Sequence, residues 1–349
     1  MRAILWLGRE PTYIRNDVVI KGLKECGIEL VICADTSPNI IVRFVKSFLA
    51  YIRAVQQPHD FVWVGFFGHP LVWLAKRFTR KKVLLDMWLS AYETMVHARK
   101  SIKDKTLGAT FFKWLDAHAV RSCDAAIFPS QGEMNYFIHK LHHPKEKMRL
   151  VLIGVNTDQF IPTPKKPSKK VVVEFHGTFL TVSSVETIVR AAKELEKNNQ
   201  IEFWLIGTGQ TFDADVSLAK ELGLKNVQFL GRKPYREIPG LLNQSDISLG
   251  IFGSGEKANR ILPTKMYEAM ALAKPSITAR SDGVLELLKE EKSVLLVAPY
   301  DAKDLAAKIE FLAKNPAKRK KIGEAAHDVF LEKATPKKIG EQIIKIVKE

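Results

Sequence analysis

Two basic residues and one isolated carboxylate lie close to a predicted helix start between Lys257 and Pro275. Pro263 fits the first helical position, so a helix is predicted to begin near residues 261–264. The unpaired N–H groups and partial positive charge of such a helix start attract anions, and Arg260 and Lys265 would lie beside it. The natural ligand of this arrangement is a phosphate or a diphosphate.

Glu268 lies on the same predicted helix, three residues after Lys265, and therefore shares a face with it. A carboxylate one turn from the helix start accepts hydrogen bonds from vicinal hydroxyls, such as those of a ribose. The pattern thus suits a nucleotide, with its diphosphate at the helix start and its ribose at Glu268. The spacing also fits a surface helix with an ordinary Lys–Glu ion pair.

The stretch KANRILPTKMYEAMALAKP resembles the signature region of retaining GT-B glycosyltransferases of the family 4 type. In that family a basic loop leads into a helix whose glutamate binds the nucleotide ribose, and Glu268 is the matching residue. Many members carry a second glutamate where this chain has Arg260. The chain instead resembles a subgroup with the pattern R-x-x-P-x-K-x-x-E.

The resemblance implies a donor site built at the strand ends of a C-terminal domain. It implies Arg260 and Lys265 as groups that neutralise the donor diphosphate, with Lys257 or Arg232 as helpers. Gly177 is expected to let backbone N–H groups reach the distal phosphate. The predicted donor-binding residues are Gly177, Thr178, Gly207, Arg232, Tyr235, Phe252, Gly253 and Glu268.

A second motif, Asp86 to Arg99, resembles the run D-x-x-x-S-x-Y-x-T on the acceptor-facing side of the same subgroup. The resemblance implies Asp86, Ser90 and Tyr92 as acceptor contacts, and Asp86 is also a catalytic candidate. Asp86 directly follows a predicted strand, at the rim where parallel sheets bind ligands. It equally fits a helix cap.

The chain length of 349 residues predicts about two domains. Alternating strands and helices predict an α/β protein of GT-B architecture, with two Rossmann-like domains whose parallel sheets face a central cleft. We expect an N-terminal acceptor-side domain at 1–161, a linker at 162–170 and a nucleotide-sugar-binding domain at 171–335. The family implies that a C-terminal helix at about 336–349 packs back on the N-terminal domain.

The formal net charge of +16 predicts an anionic partner. The three cysteines are widely spaced, which favours a reducing compartment over a disulfide scaffold or a zinc site. The N-terminus resembles no signal peptide, and no stretch is apolar enough to span a bilayer. The sequence therefore predicts a cytoplasmic protein, with peripheral contact at the inner membrane face as a further hypothesis.

The segment Ile40 to Arg53 predicts an amphipathic helix with Ile41, Phe44, Val45, Phe48 and Ile52 on one face. Such a face usually packs on a sheet. The alternative is an interfacial helix whose basic edge, with Arg43, Lys46 and Arg53, meets anionic lipid.

Four histidines, His118, His139, His142 and His143, have no acidic partner at the spacing of a helical zinc motif, so no metal and no cofactor are expected. The predicted function is hexosyl transfer from a nucleoside-diphosphate sugar, with UDP or GDP as candidate nucleotides, to a glycan or lipid-linked acceptor hydroxyl with retention. Two alternatives are a GT-B-like sugar-nucleotide epimerase and a non-enzymatic basic protein that binds anionic partners. Nucleic acid is not an expected partner, because no binding motif is recognised.

Overall fold

The computed structural model describes residues 1–98 and 101–349 and divides the chain into two compact units. The N-terminal unit comprises Met1–Asn156 and Thr335–Glu349, and the C-terminal unit comprises Thr157–Ala334. Each unit contains one six-stranded parallel sheet.

The N-terminal unit alternates strands and helices along the chain. Its elements are β1 (Arg2–Trp6), α1 (Ile14–Glu25), β2 (Glu29–Cys33), α2 (Ile40–Val55), β3 (Phe61–Val64), α3 (His69–Phe78), β4 (Lys82–Asp86), a π-helical turn (Glu93–Ala98), α4 (Leu107–Ser122), β5 (Ala125–Phe128), α5 (Gln131–His139), a 3-10 turn (Lys145–Lys147) and β6 (Met148–Leu150). The strand order is β2-β1-β3-β4-β5-β6. The short apolar strands are buried on both faces, as parallel strands covered by helices require.

The C-terminal unit repeats this alternation. Its elements are β7 (Val171–His176), α6 (Val185–Glu194), β8 (Ile201–Ile206), α7 (Phe212–Glu221), β9 (Val227–Gly231), a 3-10 turn (Tyr235–Glu237), α8 (Ile238–Gln244), β10 (Ile247–Leu249), α9 (Glu256–Arg260), α10 (Thr264–Ala271), β11 (Ser276–Ala279), α11 (Asp282–Leu285), β12 (Leu295–Val297), α12 (Ala302–Lys314) and α13 (Pro316–Lys333). The strand order is β12-β11-β10-β7-β8-β9.

The last helix of the chain, α14 (Pro336–Lys348), packs on α1 within the N-terminal unit. Two glycines allow the close approach. A Cβ atom added at Gly22 would lie 2.1 Å from the carbonyl oxygen of Pro336, and one added at Gly340 would lie 2.3 Å from that of Gly22. Ile339 and Ile343 of α14 join the core below α1.

The segment predicted as an exposed linker, 162–170, lies in the C-terminal unit. The backbone N–H of Thr163 donates to Oδ1 of Asn243 (3.0 Å), and Lys165 forms an ion pair with Asp246. The boundary between the units follows Asn156, whereas the sequence analysis placed it after residue 161. Polar contacts therefore attach this proline-rich segment to one unit.

Two strands are shorter than the apolar runs at 149–155 and 246–252. The strands there are Met148–Leu150 and Ile247–Leu249. The residue after each strand, Val151 or Gly250, still donates one backbone hydrogen bond to the neighbouring strand. Helix α13 was not predicted, because its sequence has no regular apolar stripe.

The prediction for the packing face of α2 is confirmed only in part, because Phe48 and Ile52 are half-buried and pack against the core but the rest of the predicted face is exposed. The buried residues of this helix are Ser47, Tyr51 and Ala54, whereas Ile41 is 70% exposed and Val45 is 46% exposed. The ring of Tyr51 stacks on Trp6 at 4.4 Å between centroids, and the Ser47 hydroxyl accepts from the Trp6 indole N–H at 3.2 Å. A buried indole needs a hydrogen-bond partner, which explains why Ser47 lies on the buried side of α2.

Within residues 1–98 and 101–349, no helix is both long enough and apolar enough to span a membrane.

Candidate functional site

The candidate site forms where β7 and β10 lie side by side in the C-terminal sheet. β8 follows β7 on one side, and β10 flanks it on the other, so this is the topological switch point of the sheet. Parallel sheets bind ligands at such a point, outside the carboxyl ends of the strands. His176 ends β7, and α10 follows β10 through a loop and the short helix α9.

A chain of hydrogen bonds connects five side chains at this point. The Ser248 hydroxyl donates to Oε1 of Glu174, whose Oε2 lies 3.0 Å from Nδ1 of His176. The Nε2 of His176 lies 2.5 Å from Oε2 of Glu268, and the Tyr235 hydroxyl donates to Oε1 of Glu268 at 2.8 Å. Side chains from β7, β10 and the 3-10 turn at Tyr235 therefore hold Glu268 of α10 in one orientation.

His176 is buried between two carboxylates. Burial alone would lower the pKa of its imidazole, but Glu174 and Glu268 attract the proton and raise the pKa to about 9. A charged His176 donates from both ring nitrogens, one to each carboxylate. The imidazolium thus keeps Glu268 oriented.

Glu174 and His176 were missed by the sequence analysis as functional residues. A signal was present, because Glu174 is the one carboxylate in the strand VVVEFH, whose residues are largely buried. A charged residue inside a buried strand needs a partner, and such residues are associated with functional sites.

Lys265, the second residue of α10, places its ammonium 3.6 Å from the centre of the Phe175 ring. Burial lowers the pKa of Lys265 to about 7, against the opposing attraction of Glu174 and Glu268. An ammonium with this pKa readily gains charge when an anion approaches. The predicted neighbourhood of Lys265 and Glu268 on one helix face is therefore present in the structure.

Gly177 makes room for the Lys265 side chain. A Cβ atom added at Gly177 would lie 3.1 Å from Nζ of Lys265, and the residue has a φ of +133°. Its own N–H donates to the carbonyl oxygen of Ile206 at 2.9 Å. That other N–H groups of this loop reach the distal phosphate stays a prediction. Gly207 supports the same turn, since a Cβ there would lie 1.9 Å from the Gly177 carbonyl oxygen.

Arg260 lies at the end of the short helix α9, where the sequence analysis expected a loop. Its guanidinium is 3.5 Å from a carboxylate oxygen of Glu256. Gly283 of α11 fixes the backbone here, because a Cβ at Gly283 would lie 2.6 Å from the carbonyl carbon of Arg260. Pro263 is the residue before α10 and not its first residue, so α10 begins at Thr264.

The other predicted donor residues differ in their surroundings. Phe252 is fully buried in the core, and its backbone pairs with Ser183 and Tyr300. Gly253 lies against the backbone of residues 181–182, with 2.6 Å between an added Cβ and the Val182 carbonyl oxygen. Arg232 and Thr178 are exposed.

Asp86 in the N-terminal unit is buried against Arg15. The two side chains are each 1% exposed, with 3.0 Å between Nε and Oδ2. Arg15 also donates to the carbonyl oxygen of Leu152 at 2.6 Å. Burial raises the pKa of Asp86, and Arg15 opposes that rise. In this position Asp86 joins the end of β4 to α1 and to the segment after β6.

The helical segment after β4 is capped by Asp116 of α4, the role considered for Asp86. Its carboxylate accepts from the Ser90 hydroxyl at 2.6 Å and from the backbone N–H groups of Ala91 (2.8 Å) and Tyr92 (3.1 Å). The Tyr92 hydroxyl donates to Oδ1 of Asp104 at 2.9 Å. Arg99, the last residue of the predicted motif, lies outside the described residues.

Across the described part of the chain, no group of three or more His, Cys, Asp or Glu side chains is arranged to hold a metal ion. Cys26, Cys33 and Cys123 are free thiols.

Comparison with known proteins identifies glycosyltransferases as relatives. A family model described as glycosyl transferases group 1 matches residues 156–329. An Escherichia coli K12 protein named as the colanic acid biosynthesis glycosyltransferase WcaL is 25% identical over 177 residues, which cover 49% of this chain and 43% of the relative. The D-inositol 3-phosphate glycosyltransferase of Corynebacterium aurimucosum is 21% identical, over 83% of this chain and 72% of the relative. The chain thus matches less than half the length of WcaL.

A solved structure of HepE from Anabaena, in complex with UDP, has a TM-score of 0.74 to this chain at 15% identity and covers 100% of both chains. HepE has also been solved in complex with UDP-glucose, with a TM-score of 0.73 at 16% identity over 99% of each chain. This likeness shows that the chain has the α/β two-domain GT-B fold. Residues 156–329 of the chain are similar to the family of group 1 glycosyl transferases.

Proposed function

We propose that this protein is a retaining glycosyltransferase that moves a hexosyl group from a nucleoside-diphosphate sugar to an acceptor hydroxyl. The observation that carries the proposal is the arrangement of Lys265 and Glu268 at the start of α10, with both side chains held by β7. HepE, which shares the fold, binds UDP and UDP-glucose, so UDP is the first nucleotide to test.

Glu268 binds the ribose in this proposal. A carboxylate oxygen has two lone pairs. His176 occupies one on Oε2 and Tyr235 occupies one on Oε1, which leaves one on each oxygen for the two ribose hydroxyls. Because the carboxylate is already oriented, little ordering is required when the nucleotide binds.

Lys265 and Arg260 neutralise the diphosphate. The start of α10 adds its partial positive charge at the same place. A leaving diphosphate gains negative charge as the bond to the sugar breaks, so fixed donors stabilise the transition state more than the ground state. In the retaining enzymes that this chain resembles, the leaving phosphate takes the acceptor proton, and no protein nucleophile is part of the proposal.

The acceptor binds to the N-terminal unit, and the surface of this unit contacts a membrane. Support comes from α2, whose apolar side chains are exposed and whose basic residues Lys46 and Arg53 lie beside them. A glycan precursor or a lipid-linked acceptor is consistent with that location.

Calorimetric titration of UDP, GDP, ADP and dTDP tests the donor site. We expect one nucleotide to bind selectively and Glu268→Ala to weaken it by about tenfold to a hundredfold, since a hydrogen-bonded charge is lost. Glu324→Ala, at an exposed carboxylate of α13, is the matched control and should bind normally. Absence of binding by all four nucleotides would contradict the proposal. Conversion of the donor with no acceptor present would instead favour an epimerase.

A further inference from the structure

A cavity of about 280 Å³ lies in the N-terminal unit at the carboxyl ends of β1, β3 and β4. The cavity is lined by residues of the loops after these strands and by residues of α2, α3, α4 and the π-helical turn. β1 has β2 on one side and β3 on the other, so the cavity lies at the topological switch point of this sheet. Such a point is where an open parallel sheet binds its ligand.

The lining of the cavity is predominantly apolar. Its large side chains include Phe44, Phe66, Leu71, Leu89, Met95 and Phe112. A ligand part that enters this cavity is therefore recognised by burial of apolar surface.

Most polar side chains of the lining are paired inside the protein. The Arg43 guanidinium donates to the carbonyl oxygen of Ser37 at 3.0 and 2.9 Å, whereas Nε2 of His69 makes no hydrogen bond. Ser90 donates to Asp116 at 2.6 Å, and Nε2 of His69 lies 3.2 Å from the same carboxylate. Ser47 donates to the carbonyl oxygen of Phe44 at 3.0 Å, and Thr94 donates to that of Ser90 at 2.7 Å. Because the lining is mostly apolar and most of its polar groups already have partners, the cavity favours a hydrocarbon over a sugar or a phosphate.

Phe67 at the cavity has a strained backbone. Its φ is +68°, a conformation that bulky residues rarely adopt, and its side chain is 49% exposed. Gly8 allows the loop after β1 to press against it, because a Cβ at Gly8 would lie 2.8 Å from the carbonyl oxygens of Phe66 and Phe67. Strain of this kind concentrates at ligand sites, where packing enforces it.

The cavity is continuous with the exposed face of α2. Phe44 lines the cavity and is 37% exposed, and Val45 and Leu49 follow it on the surface at 46% and 49%. An exposed apolar face beside basic residues suits a bilayer surface. A chain that leaves the bilayer would therefore reach the cavity along an apolar path.

We propose that this cavity binds the hydrocarbon chain of an amphiphilic acceptor. At about 30 Å³ for each small group, as for a water molecule in the liquid, it holds about nine carbon atoms. It therefore encloses the part of the chain nearest the polar head, and the remainder stays with the membrane. That this amphiphile is the acceptor rests on the proposed function, whereas the binding of its hydrocarbon chain does not.

Neutral alkyl glucosides, from methyl to dodecyl, test the cavity without donor when they are titrated calorimetrically below their micellar concentrations. The affinity should rise about threefold to fourfold with each methylene. It should level off near nine carbons, with one ligand per chain. Affinity that does not depend on chain length would overturn the proposal. A rise that continues to dodecyl, with several ligands bound, would also overturn it, since it indicates adsorption to the outer surface.

Ala91→Phe, at the cavity lining, should lower the affinity for octyl glucoside by about tenfold or more. The added ring takes the space of several methylenes of the ligand. Ala317→Phe, on the exposed surface of α13, is the matched control. Leu49→Glu should leave octyl glucoside binding unchanged, since Leu49 lies outside the cavity. Equal octyl glucoside affinity in Ala91→Phe and wild type would reject the site.

UDP titration of the same samples separates the two proposals. UDP binding with no chain-length effect would reject the cavity and leave the donor site intact. A chain-length effect without nucleotide binding would support the cavity and contradict the glycosyltransferase activity.

Discussion

The Nε2 atom of His176 lies 2.5 Å from Oε2 of Glu268, although the two residues are 92 positions apart in the sequence. On its other side His176 contacts Glu174, so one imidazolium stands between two carboxylates. The ribose-binding role proposed for Glu268 thus depends on a residue at the end of β7. His176 is a positioning residue, because it acts through Glu268.

His176→Gln should weaken the binding of UDP and also change how the free energy of unfolding depends on pH. The folded pKa of about 9 lies above the usual 6.5, so the stabilisation is fully present below about pH 6.5 and is lost as the pH rises through 9. The difference in free energy of unfolding between wild type and variant should therefore be largest near about pH 6, on the order of 2 kcal/mol. Denaturant titrations at several pH values measure it. His139→Gln, at an exposed histidine, should show no such pH-dependent difference.

Lys265 should take up a proton when UDP binds. Its pKa of about 7 leaves it largely neutral at about pH 8, and a diphosphate nearby raises the pKa. UDP affinity should then fall as the pH rises from about 7 to about 8.5, by at most about tenfold per pH unit. Calorimetry in buffers of different ionisation enthalpy counts the protons. Lys265→Met should abolish the uptake and Lys314→Met should retain it; the same uptake in both variants would refute the role of Lys265.

Gly177→Ala should weaken UDP binding more than it lowers stability. The added Cβ meets the Lys265 ammonium at 3.1 Å and displaces it from the site. Gly223→Ala is the matched control, because Gly223 also has a positive φ (+69°) but nothing within 4 Å of an added Cβ. Gly223→Ala should lose about 1 kcal/mol of stability, and Gly177→Ala should lose more, because its φ of +133° lies outside the left-handed region that alanine can adopt; thermal unfolding measures both losses. If Gly223→Ala weakened UDP equally, backbone strain alone would explain the effect.

Arg260→Ala should lower turnover more than donor affinity, since contacts to the departing diphosphate strengthen in the transition state. Steady-state kinetics with the donor identified by calorimetry give kcat and KM separately. Arg280→Ala removes an exposed arginine that pairs with Glu290, and it should change neither parameter. Equal losses in affinity and turnover, or no loss, would refute a transition-state role for Arg260.

Leu49→Glu should reduce the binding of the protein to anionic vesicles. Leu49 lies on the exposed apolar face of α2, and a carboxylate there opposes both burial in lipid and attraction to negative headgroups. Flotation with vesicles of phosphatidylglycerol and phosphatidylcholine measures the bound fraction. Leu331→Glu on α13 is the control, because Leu331 is also 49% exposed. Failure of the wild-type protein to float with these vesicles would reject membrane contact through α2.

The sequence by itself determined most elements of the two sheets and one part of the site. Apolar runs bounded by turn residues coincide with strands of the structure, such as Glu29–Cys33, Lys82–Asp86, Ile201–Ile206 and Ser276–Ala279. Lys265 and Glu268 were identified as neighbours because they share one helix, where spacing alone decides which side chains lie together. Strand and helix periodicity is local, so it can be detected in a single sequence.

Only the tertiary structure decided which distant side chains meet. It paired Arg15 with Asp86 across 71 positions and buried Ser47, Tyr51 and Ala54 of α2, whereas much of the apolar face of this helix stays exposed. It also brought Glu174 and His176 of β7 to Glu268 of α10, because the strand order places β7 beside β10. Long-range pairing depends on how sheets and helices pack, and a local pattern of residues does not contain that information.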